Sequence, residues 1–284
     1  MTCRWTSRRS VSSTTVRDLP LRIATINTWK GDGPYEARLD ALCAQLRGVE
    51  ADVVALQEAL VAVDGSLSTP GCLARELGMT TATFAHRRKL RMVEGREVDC
   101  WSGLALLSRW PIVDVLTHAL PSDDQDGERG VLLAAIETPA GLVRIANTHL
   151  THLRARSALR RAQLDAVLAD PFLARPAAAR LVCGDMNATP GTPEIGGVLG
   201  DTRLWHVVDA YEAANGAEMR ATMSDRNDHV RPGTGERVLD YIFSLADTPH
   251  AQPYLLDARV VLDRPSDCGV YPSDHFGVMV SLAS

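Results

Sequence analysis

The chain has 284 residues, of which 45% are hydrophobic and 23% are charged, and its formal net charge is −5. These values are ordinary for a globular protein, and the acidic balance argues against non-specific binding of long duplex DNA, which requires a basic surface. Because no run of 18 or more apolar residues is present, we expect no transmembrane helix.

The N-terminal segment 1–19 is basic and rich in Ser and Thr, and it lacks the apolar core of a secretory signal. We predict a disordered leader there; a weak arm for nucleic acid or a membrane surface is the alternative. The six cysteines form no CxxC pair, so we expect reduced thiols and neither a zinc knuckle nor a disulfide framework. No linker divides 20–284, which we predict to be one domain of a monomeric, cytoplasmic protein.

The first predicted elements are a strand at 21–26 (LRIATI) and a helix over 36–48. Gly48 is the expected stop of this helix. A buried strand at 52–57 is expected to end at Glu58. The apolar face of the helix is formed, at helical spacing, by Leu39, Leu42, Cys43 and Leu46.

The middle of the chain begins with a mixed region at 61–100, which contains a loop through DGSLSTPG, and continues with a strand in SGLALLS. A polar loop at 121–130 precedes a predicted hairpin of VLLAAIET and LVRIANTHL. A helix over 154–169 should end before Pro171, because the residue before a proline avoids helical backbone angles.

Towards the C terminus LVCGD predicts a strand, and 190–237 is loop-rich with a short helical piece near 204–214. Three further strands are predicted in RVLDYIFS, ARVVLD and FGVMVSL. Hairpins and the small number of helices favour an α/β architecture with mixed, largely antiparallel sheets. Two sheets packed on each other, with helices outside, would bury the strands that are apolar on both faces.

Polar side chains recur where predicted strands end or begin. Any one of them has a simple explanation as a cap or a turn, but turn chemistry also favours Gly, Pro and Ser. An oxygen-rich set with few soft donors selects Mg²⁺ or Mn²⁺ and suits phosphoester hydrolysis. The residues are Asn27, Glu58, His149, Asp185, Asn187, Asp240, Asp274 and His275.

The segment LVCGDMNATP carries two of these residues. Asp185 and Asn187 share one side of the strand end, because side chains alternate with a period of two. We predict that Asp185 orients and deprotonates water and that Asn187 holds phosphate or the nucleophile. A strand-end turn without function is the alternative.

The motifs INTW, ALQE, GLALLSRWPI, NTHL, GDMNATP, LDYIF and SDHFGV, in this order, resemble the endonuclease/exonuclease/phosphatase superfamily over about 20–284. The resemblance implies a four-layer sandwich of two mixed β-sheets packed face to face with helices on both outer sides. It also implies a divalent-metal-dependent phosphodiesterase or phosphomonoesterase.

The resemblance implies individual roles as well. Glu58 is the principal Mg²⁺ ligand, Asn27 contacts metal or phosphate, and Asp274 is an auxiliary ligand. His149 lies near the leaving group, as a general acid or as a donor to phosphate. Asp240 and His275 form a carboxylate–imidazole pair near the scissile phosphate, in which the carboxylate favours imidazolium.

Other residues fit the resemblance less well. Arg129 is placed as a phosphate-facing arginine, although a solvated loop arginine fits the sequence equally, and His152 is expected either to support the residues that contact the substrate or to be structural. Trp29 departs from members that have a polar group there, which leaves a second metal contact in doubt. The histidines expected at the surface, without motif context, are His86, His118, His206, His229 and His250.

The substrate stays open between a phosphorylated small molecule, a lipid headgroup and a nucleic acid, because the fold does not decide it. A non-catalytic phosphate-binding protein is the alternative from another class. Aromatic residues make up only 5% of the chain, so stacking platforms for single strands are scarce. Two basic clusters could follow a nucleic acid backbone: Arg87, Arg88, Lys89 and Arg91, and, on a predicted helix whose solvated face they favour, Arg154, Arg156, Arg160 and Arg161.

Overall fold

The structure is a computed structural model that describes residues 20–216, 218 and 220–283. The predicted leader at 1–19 lies outside the described residues. The helices are α1 (Tyr35–Val49), α2 (Thr69–Leu77), α3 (Ser157–Leu168), α4 (Pro171–Ala174), α5 (Pro193–Gly196) and α6 (Ala210–Asn215). The strands are β1 (Leu21–Asn27), β2 (Val53–Ala62), β3 (Thr80–Val93), β4 (Arg96–Ser108), β5 (Ile112–Ala119), β6 (Gly130–Thr138), β7 (Gly141–His149), β8 (Ala179–Asp185), β9 (Gly200–Asp201), β10 (His206–Asp209), β11 (Asp240–Ala246), β12 (Leu255–Val261) and β13 (Gly277–Leu282).

These strands form two mixed sheets. The first has six strands in the order β12-β13-β1-β2-β4-β3, and the second has seven in the order β5-β6-β7-β8-β11-β10-β9. Each sheet contains one parallel pair, β1 with β2 and β7 with β8, and its other pairs are antiparallel. The prediction of mixed, largely antiparallel sheets is therefore confirmed.

The two sheets pack face to face with helices outside, as the sequence predicts. One buried cluster joins Ile23 and Leu106 of the first sheet to Leu132 and Leu181 of the second. A second cluster packs α1 and α2 onto the outer face of the first sheet, and a third packs α3 and α4 onto the second sheet. Both faces of each sheet are covered, which explains why strand sequences such as LRIATI are apolar throughout.

Several predicted element boundaries are wrong. Strand β2 does not end at Glu58 but continues to Ala62. Helix α1 passes through Gly48 to Val49, and its end is marked by Glu50 with a left-handed φ of 52°. The region predicted as mixed at 61–100 is α2 and the first part of a long β3–β4 hairpin. The hairpin escaped sequence reasoning because β3 is an edge strand whose side chains are mostly exposed, so it lacks the apolar pattern of a buried strand.

Both neighbours of β4 bulge near its middle, β2 opposite Leu104 and β3 opposite Gly103. The register of β2 shifts between Leu56 and Ala59, and the register of β3 shifts between Phe84 and Arg87. A Cβ atom on Gly103 would collide with the backbone carbonyl of Phe84, so a glycine is required where the bulge approaches β4. Such bulges bend a strand and redirect its side chains, and here they turn Glu58 and Arg87 towards the same cleft.

The registers bring the candidate site residues to one end of the sandwich. In the second sheet His149 pairs with Asp185 along the parallel strands, and Asp240 pairs with Asp185 across the antiparallel ones. In the first sheet β1 ends at Asn27. Strands β7 and β8 are parallel, and so are β1 and β2. The two strands of each pair therefore run towards the same end of their sheet.

Two findings bear on the compositional expectations. The five cysteines in the described part of the chain are all unpaired. Among the residues that the structure describes, no helix is both long enough and apolar enough to cross a membrane.

We predict that Gly184→Ala lowers the free energy of unfolding by about 2–4 kcal/mol. Gly184 has a φ of 143°, and a Cβ atom there would collide with the carbonyl oxygen of Thr148 on β7. The matched control is Gly48→Ala in α1, where an added Cβ meets no atom within 4 Å; stability should stay unchanged or rise by about 0.5 kcal/mol. Urea denaturation measures both, and wild-type stability of Gly184→Ala would contradict the packing described here.

Candidate active site

A cleft of about 350 Å³ lies at this end of the sandwich. Of the nine residues predicted for the site, all except Asp240 line it, and Asp240 is fully buried in contact with His275. The structure thus brings together side chains that are far apart in sequence. The predicted residues in the lining are Asn27, Glu58, Arg129, His149, Asp185, Asn187, Asp274 and His275.

Asp185 is at the centre of the cleft and is almost fully buried. The side-chain amide of Asn27 donates a hydrogen bond to its Oδ2 at 3.0 Å, and the backbone N–H of Asn187 donates to its Oδ1 at 2.8 Å. Burial raises the pKa of Asp185 to about 7, although the charge of His275 opposes the rise. A carboxylate with such a pKa exchanges protons in neutral solution, the range in which general bases are most effective.

His275 is held by Asp240. The ring Nδ1 lies 2.8 Å from Asp240 Oδ2, and both side chains are buried. Burial disfavours the imidazolium, but the carboxylates of Asp240, Asp185 and Asp274 raise the pKa of His275 well above its usual value. With Nδ1–H donated to Asp240, the Nε2–H is directed to the region of Asp185 Oδ2, 3.8 Å away.

His149 lies on the other side of Asp185 and has the opposite electrostatics. Its Nε2 lies 3.4 Å from Asp185 Oδ2, and its Nδ1 lies 3.9 Å from Glu58 Oε1. Burial, followed by the charges of Arg129, Lys30 and His275, lowers the pKa of His149 well below its usual value. Asp185 is thus flanked by a cationic and a neutral imidazole, and a neutral His149 is suited to donating a hydrogen bond.

Glu58 protrudes into the cleft from the bulge of β2, with a left-handed φ of 53°. Its Oε2 forms an ion pair with Lys30 Nζ at 2.8 Å. Lys30 and its neighbour Trp29 also have left-handed angles, of 46° and 53°. Non-glycine residues adopt such angles at a cost of about 1–3 kcal/mol each, and they cluster at functional sites.

The oxygen donors of the cleft fit a hard divalent cation. Glu58, Asp185 and Asp274 offer carboxylates, and Asn27 offers its Oδ1, which accepts one hydrogen bond from the Trp29 N–H and keeps a second lone pair. The ligand atoms of Asp185, Asp240 and His275 also lie within 4.8 Å of one another. Asp240 already accepts a hydrogen bond from His275 Nδ1. We therefore interpret Asp240 and His275 as a hydrogen-bonded pair next to Asp185, and not as a set of three metal ligands.

Asn187 and Arg129 each have a local partner that the sequence did not reveal. The Asn187 Nδ2 donates to the Leu150 carbonyl at 3.1 Å, with a left-handed φ of 49° at Asn187 itself. Arg129 is buried, forms two hydrogen bonds with Asp126 at 2.8 and 2.9 Å, and contacts His152 Nδ1 at 3.0 Å. The alternative of a solvated loop arginine is therefore wrong, and the loop at 121–130 is anchored by a buried ion pair.

Arg38 was missed by sequence reasoning although it organises the site. It is fully buried on α1, and its guanidinium lies 4.8 Å from the Trp29 ring centroid. It ties the loop after β1 to the segment that precedes His275, so it is a positioning residue. The available signal was a charged residue on the buried face of an amphipathic helix. Its five acceptors, at 2.8–3.3 Å, are the carbonyls of Thr28, Trp29, Lys30, Asp32 and Pro272.

Some histidines predicted at the surface lie next to the cleft. His86 is half-buried, with Nδ1 at 3.2 Å from the Phe84 carbonyl, and His229 packs on the Trp29 ring with centroids 4.9 Å apart. His206 is half-buried in β10, whereas His118 and His250 are exposed as expected.

The two basic clusters predicted from the sequence lie in different surroundings. Arg160 does not belong to a solvated face, since it is buried and paired with Glu194 at 2.7 Å. In the other cluster, Arg87, Lys89 and Arg91 line the cleft.

Comparisons with known proteins agree with this architecture. A crystal structure described as an endonuclease/exonuclease/phosphatase from Beutenbergia cavernae has a TM-score of 0.70 at 24% identity and covers 93% of this chain and 71% of its own. TDP2 from D. rerio, solved in complex with a single-strand DNA product, has a TM-score of 0.69 at 22% identity and covers 93% of this chain and 99% of its own. At such identities the likeness concerns the fold.

A sequence relative and a family model extend the comparison. A Drosophila melanogaster protein named as a candidate neutral sphingomyelinase is 31% identical over 147 residues; the match spans 46% of this chain and 30% of the fly protein. The model of the Endonuclease/Exonuclease/phosphatase family matches residues 24–275, nearly the whole described part. The chain belongs to the endonuclease/exonuclease/phosphatase family.

Proposed function

We propose that this protein is a divalent-metal-dependent hydrolase that cleaves a phosphoester by in-line attack of water. The observation that carries the proposal is the buried Asp185 carboxylate, which Asn27 and Asn187 fix between a cationic and a neutral imidazole. A strand-end turn without function would not require a base with a pKa of about 7 between two buried histidines.

Glu58, Asn27 and Asp274 would hold the metal, Mg²⁺ or Mn²⁺, because hard cations prefer oxygen ligands. When bound, such an ion neutralises phosphate charge and acts as a Lewis acid. In the structure Glu58 forms an ion pair with Lys30. Metal binding would replace the Lys30 ammonium with the metal cation as the partner of this carboxylate. The freed ammonium would remain in the cleft as a donor to a phosphate oxygen.

The protein groups divide the remaining work. Asp185 accepts a proton from the attacking water, while the hydrogen bonds from Asn27 and Asn187 fix its orientation. His275, kept cationic by Asp240, donates to a non-bridging phosphate oxygen and so stabilises charge that develops in the transition state. His149, being neutral, donates a hydrogen bond on the leaving-group side.

The proposal covers phosphodiesters and phosphomonoesters alike. The named relatives differ in what their names and titles state, a sphingomyelinase in one case and a complex with single-strand DNA product in the other. A nuclease is therefore an alternative within the same chemistry. A phosphate-binding protein without catalysis is the alternative from another class, and the experiments below separate it from an enzyme.

We expect hydrolysis of bis-p-nitrophenyl phosphate to require Mg²⁺ or Mn²⁺ and to be abolished by EDTA. Glu58→Gln should remove most of this activity and also the rise in melting temperature that Mg²⁺ causes by binding the native state. Glu50→Gln is a matched control, because Glu50 also has a left-handed φ and an ion-pair partner, Arg22, but lies at the surface. Full activity of the wild type in EDTA would refute the metal requirement.

Asp185→Asn should lower kcat by about two to four orders of magnitude, as is typical for loss of a general base. KM should change little, because the shape of the site is kept and repulsion of phosphate falls. Steady-state kinetics with a thermal melt of the same preparation measures the effect per folded molecule. A kcat near the wild-type value in a folded variant would remove Asp185 from the mechanism.

Asp240→Asn and His275→Gln should reduce kcat to a similar extent, because the carboxylate acts only through the imidazole. The double variant should be little worse than either single one, as expected for residues that act as a unit. The double-mutant cycle on kcat measures the coupling. Additive losses would show that the two side chains act independently.

A further inference from the structure

Three cations form a row along one face of β3. Arg87, Lys89 and Arg91 alternate in sequence and all line the cleft. Alternate residues of a strand lie about 7 Å apart, which is close to the spacing of successive phosphates in an extended nucleic acid strand. The bulge between Phe84 and Arg87 sets this face, so the row, named here the β3 cation row, begins beside the bulge.

The β3 cation row has no counter-charge of its own. Within the described residues, Arg87, Lys89 and Arg91 take part in no salt bridge, whereas Arg88, on the opposite face, binds Asp99 through two nitrogens. The proximity of Arg87, together with burial and Arg91, lowers the pKa of Lys89. The cations therefore repel one another and would be relieved by a ligand that supplies negative charge.

The remaining cations of the cleft are already neutralised. Lys30 pairs with Glu58, and Arg129 pairs with Asp126. The unpaired positive charge of the cleft is thus concentrated on β3, in a chain whose net charge is −5. Such a local field selects ligands by charge and position, while the acidic surroundings discourage binding of long polyanions elsewhere.

A ligand that matches the row must carry several negative charges in a line. A phosphomonoester without further phosphates, or a zwitterionic lipid headgroup, presents its phosphate charge at one position only, next to the reacting group. A single nucleic acid strand carries one negative charge at each nucleotide, at a spacing that the row can follow. On the opposite face of β3, Leu90 and Met92 are exposed and Arg88 is paired with Asp99, so the cations without a salt bridge lie on one side of the strand.

We propose that the β3 cation row binds the non-scissile phosphates of a single-stranded nucleic acid substrate. This inference rests on the proposed function, because the scissile phosphate would lie at Asp185, in the same cleft. Arg87, Lys89 and Arg91 are then specificity-determining residues that contact the backbone and read no base sequence. The nuclease alternative is therefore the one that the charge distribution favours.

The test measures binding without turnover. The affinity of a short fluorescein-labelled single-stranded DNA is determined by fluorescence anisotropy in EDTA, over a series of salt concentrations. Each phosphate contact with single-stranded nucleic acid contributes about 0.7 to the slope of log Kd against log salt. The triple variant Arg87→Gln, Lys89→Gln, Arg91→Gln should lose about 2 from this slope and bind at least about tenfold more weakly at low salt.

Arg88→Gln is the matched control, because it removes a neighbouring cation that points away from the cleft, and it should leave affinity and slope at wild-type values. If the triple variant fails to fold by thermal melt, Lys89→Gln alone replaces it, since Lys89 is exposed; the expected loss of slope is then about 0.7. Equal slopes for the row variant and Arg88→Gln would overturn the proposal. It would also be overturned if the row variant lost binding to phosphatidylserine vesicles but kept its affinity for DNA.

Hydrolysis of bis-p-nitrophenyl phosphate separates this proposal from the proposed function. If the wild type hydrolyses it with Mg²⁺ but the DNA slope does not depend on the row, the enzyme assignment stands and the row assignment fails. If the row variant loses DNA binding but the wild type hydrolyses neither bis-p-nitrophenyl phosphate nor DNA, the row binds nucleic acid and the proposed function fails. With both correct, the ratio of kcat/KM for DNA to that for the small diester should fall at least about tenfold in the row variant.

Discussion

The hydrogen bond from Asn27 to Asp185 connects the two sheets at the point where the site forms. Asn27 ends a central strand of the first sheet, and Asp185 ends a central strand of the second. The buried carboxylate is satisfied by one donor from the first sheet, Asn27, and by one from the turn that follows β8, the backbone N–H of Asn187. Burial raises the pKa of Asp185 and lowers that of His149, whereas the pKa of His275 is raised against burial by the carboxylates of Asp240, Asp185 and Asp274.

The surroundings of this contact store backbone strain. Trp29, Lys30, Glu58 and Asn187 all have left-handed angles around the cleft, and each such residue disfavours the native state locally. Arg38 offsets part of this cost, because its five hydrogen bonds to carbonyls hold the loop after β1 in place. The remaining cost of these backbone angles is offset by the buried apolar clusters between the two sheets and beneath the helices.

Charge is distributed unevenly over the fold. The chain is acidic as a whole, yet the cleft combines carboxylates at its centre with cations along the β3 edge. This separation suits a phosphoester substrate. Among the carboxylates, Glu58 and Asp274 would hold a metal and Asp185 would act as the base, while the cations would attract the phosphate. The bulges of β2 and β3, which lie opposite Leu104 and Gly103 of β4, contribute to this arrangement, since Glu58 and Arg87 enter the cleft from either side of β4.

The sequence by itself determined the fold class and most of the site, because strand periodicity and the polar residues at strand ends are local signals; Asn27, His149 and Asp185 were found in this way. Only the tertiary structure revealed Arg38, the Lys30–Glu58 pair and the row on β3. A bulge changes which face a side chain occupies without leaving a trace in the hydrophobic pattern, and a buried arginine is satisfied by carbonyls that lie as far as 234 residues away. Such features depend on which segments meet in space, and local sequence does not encode that.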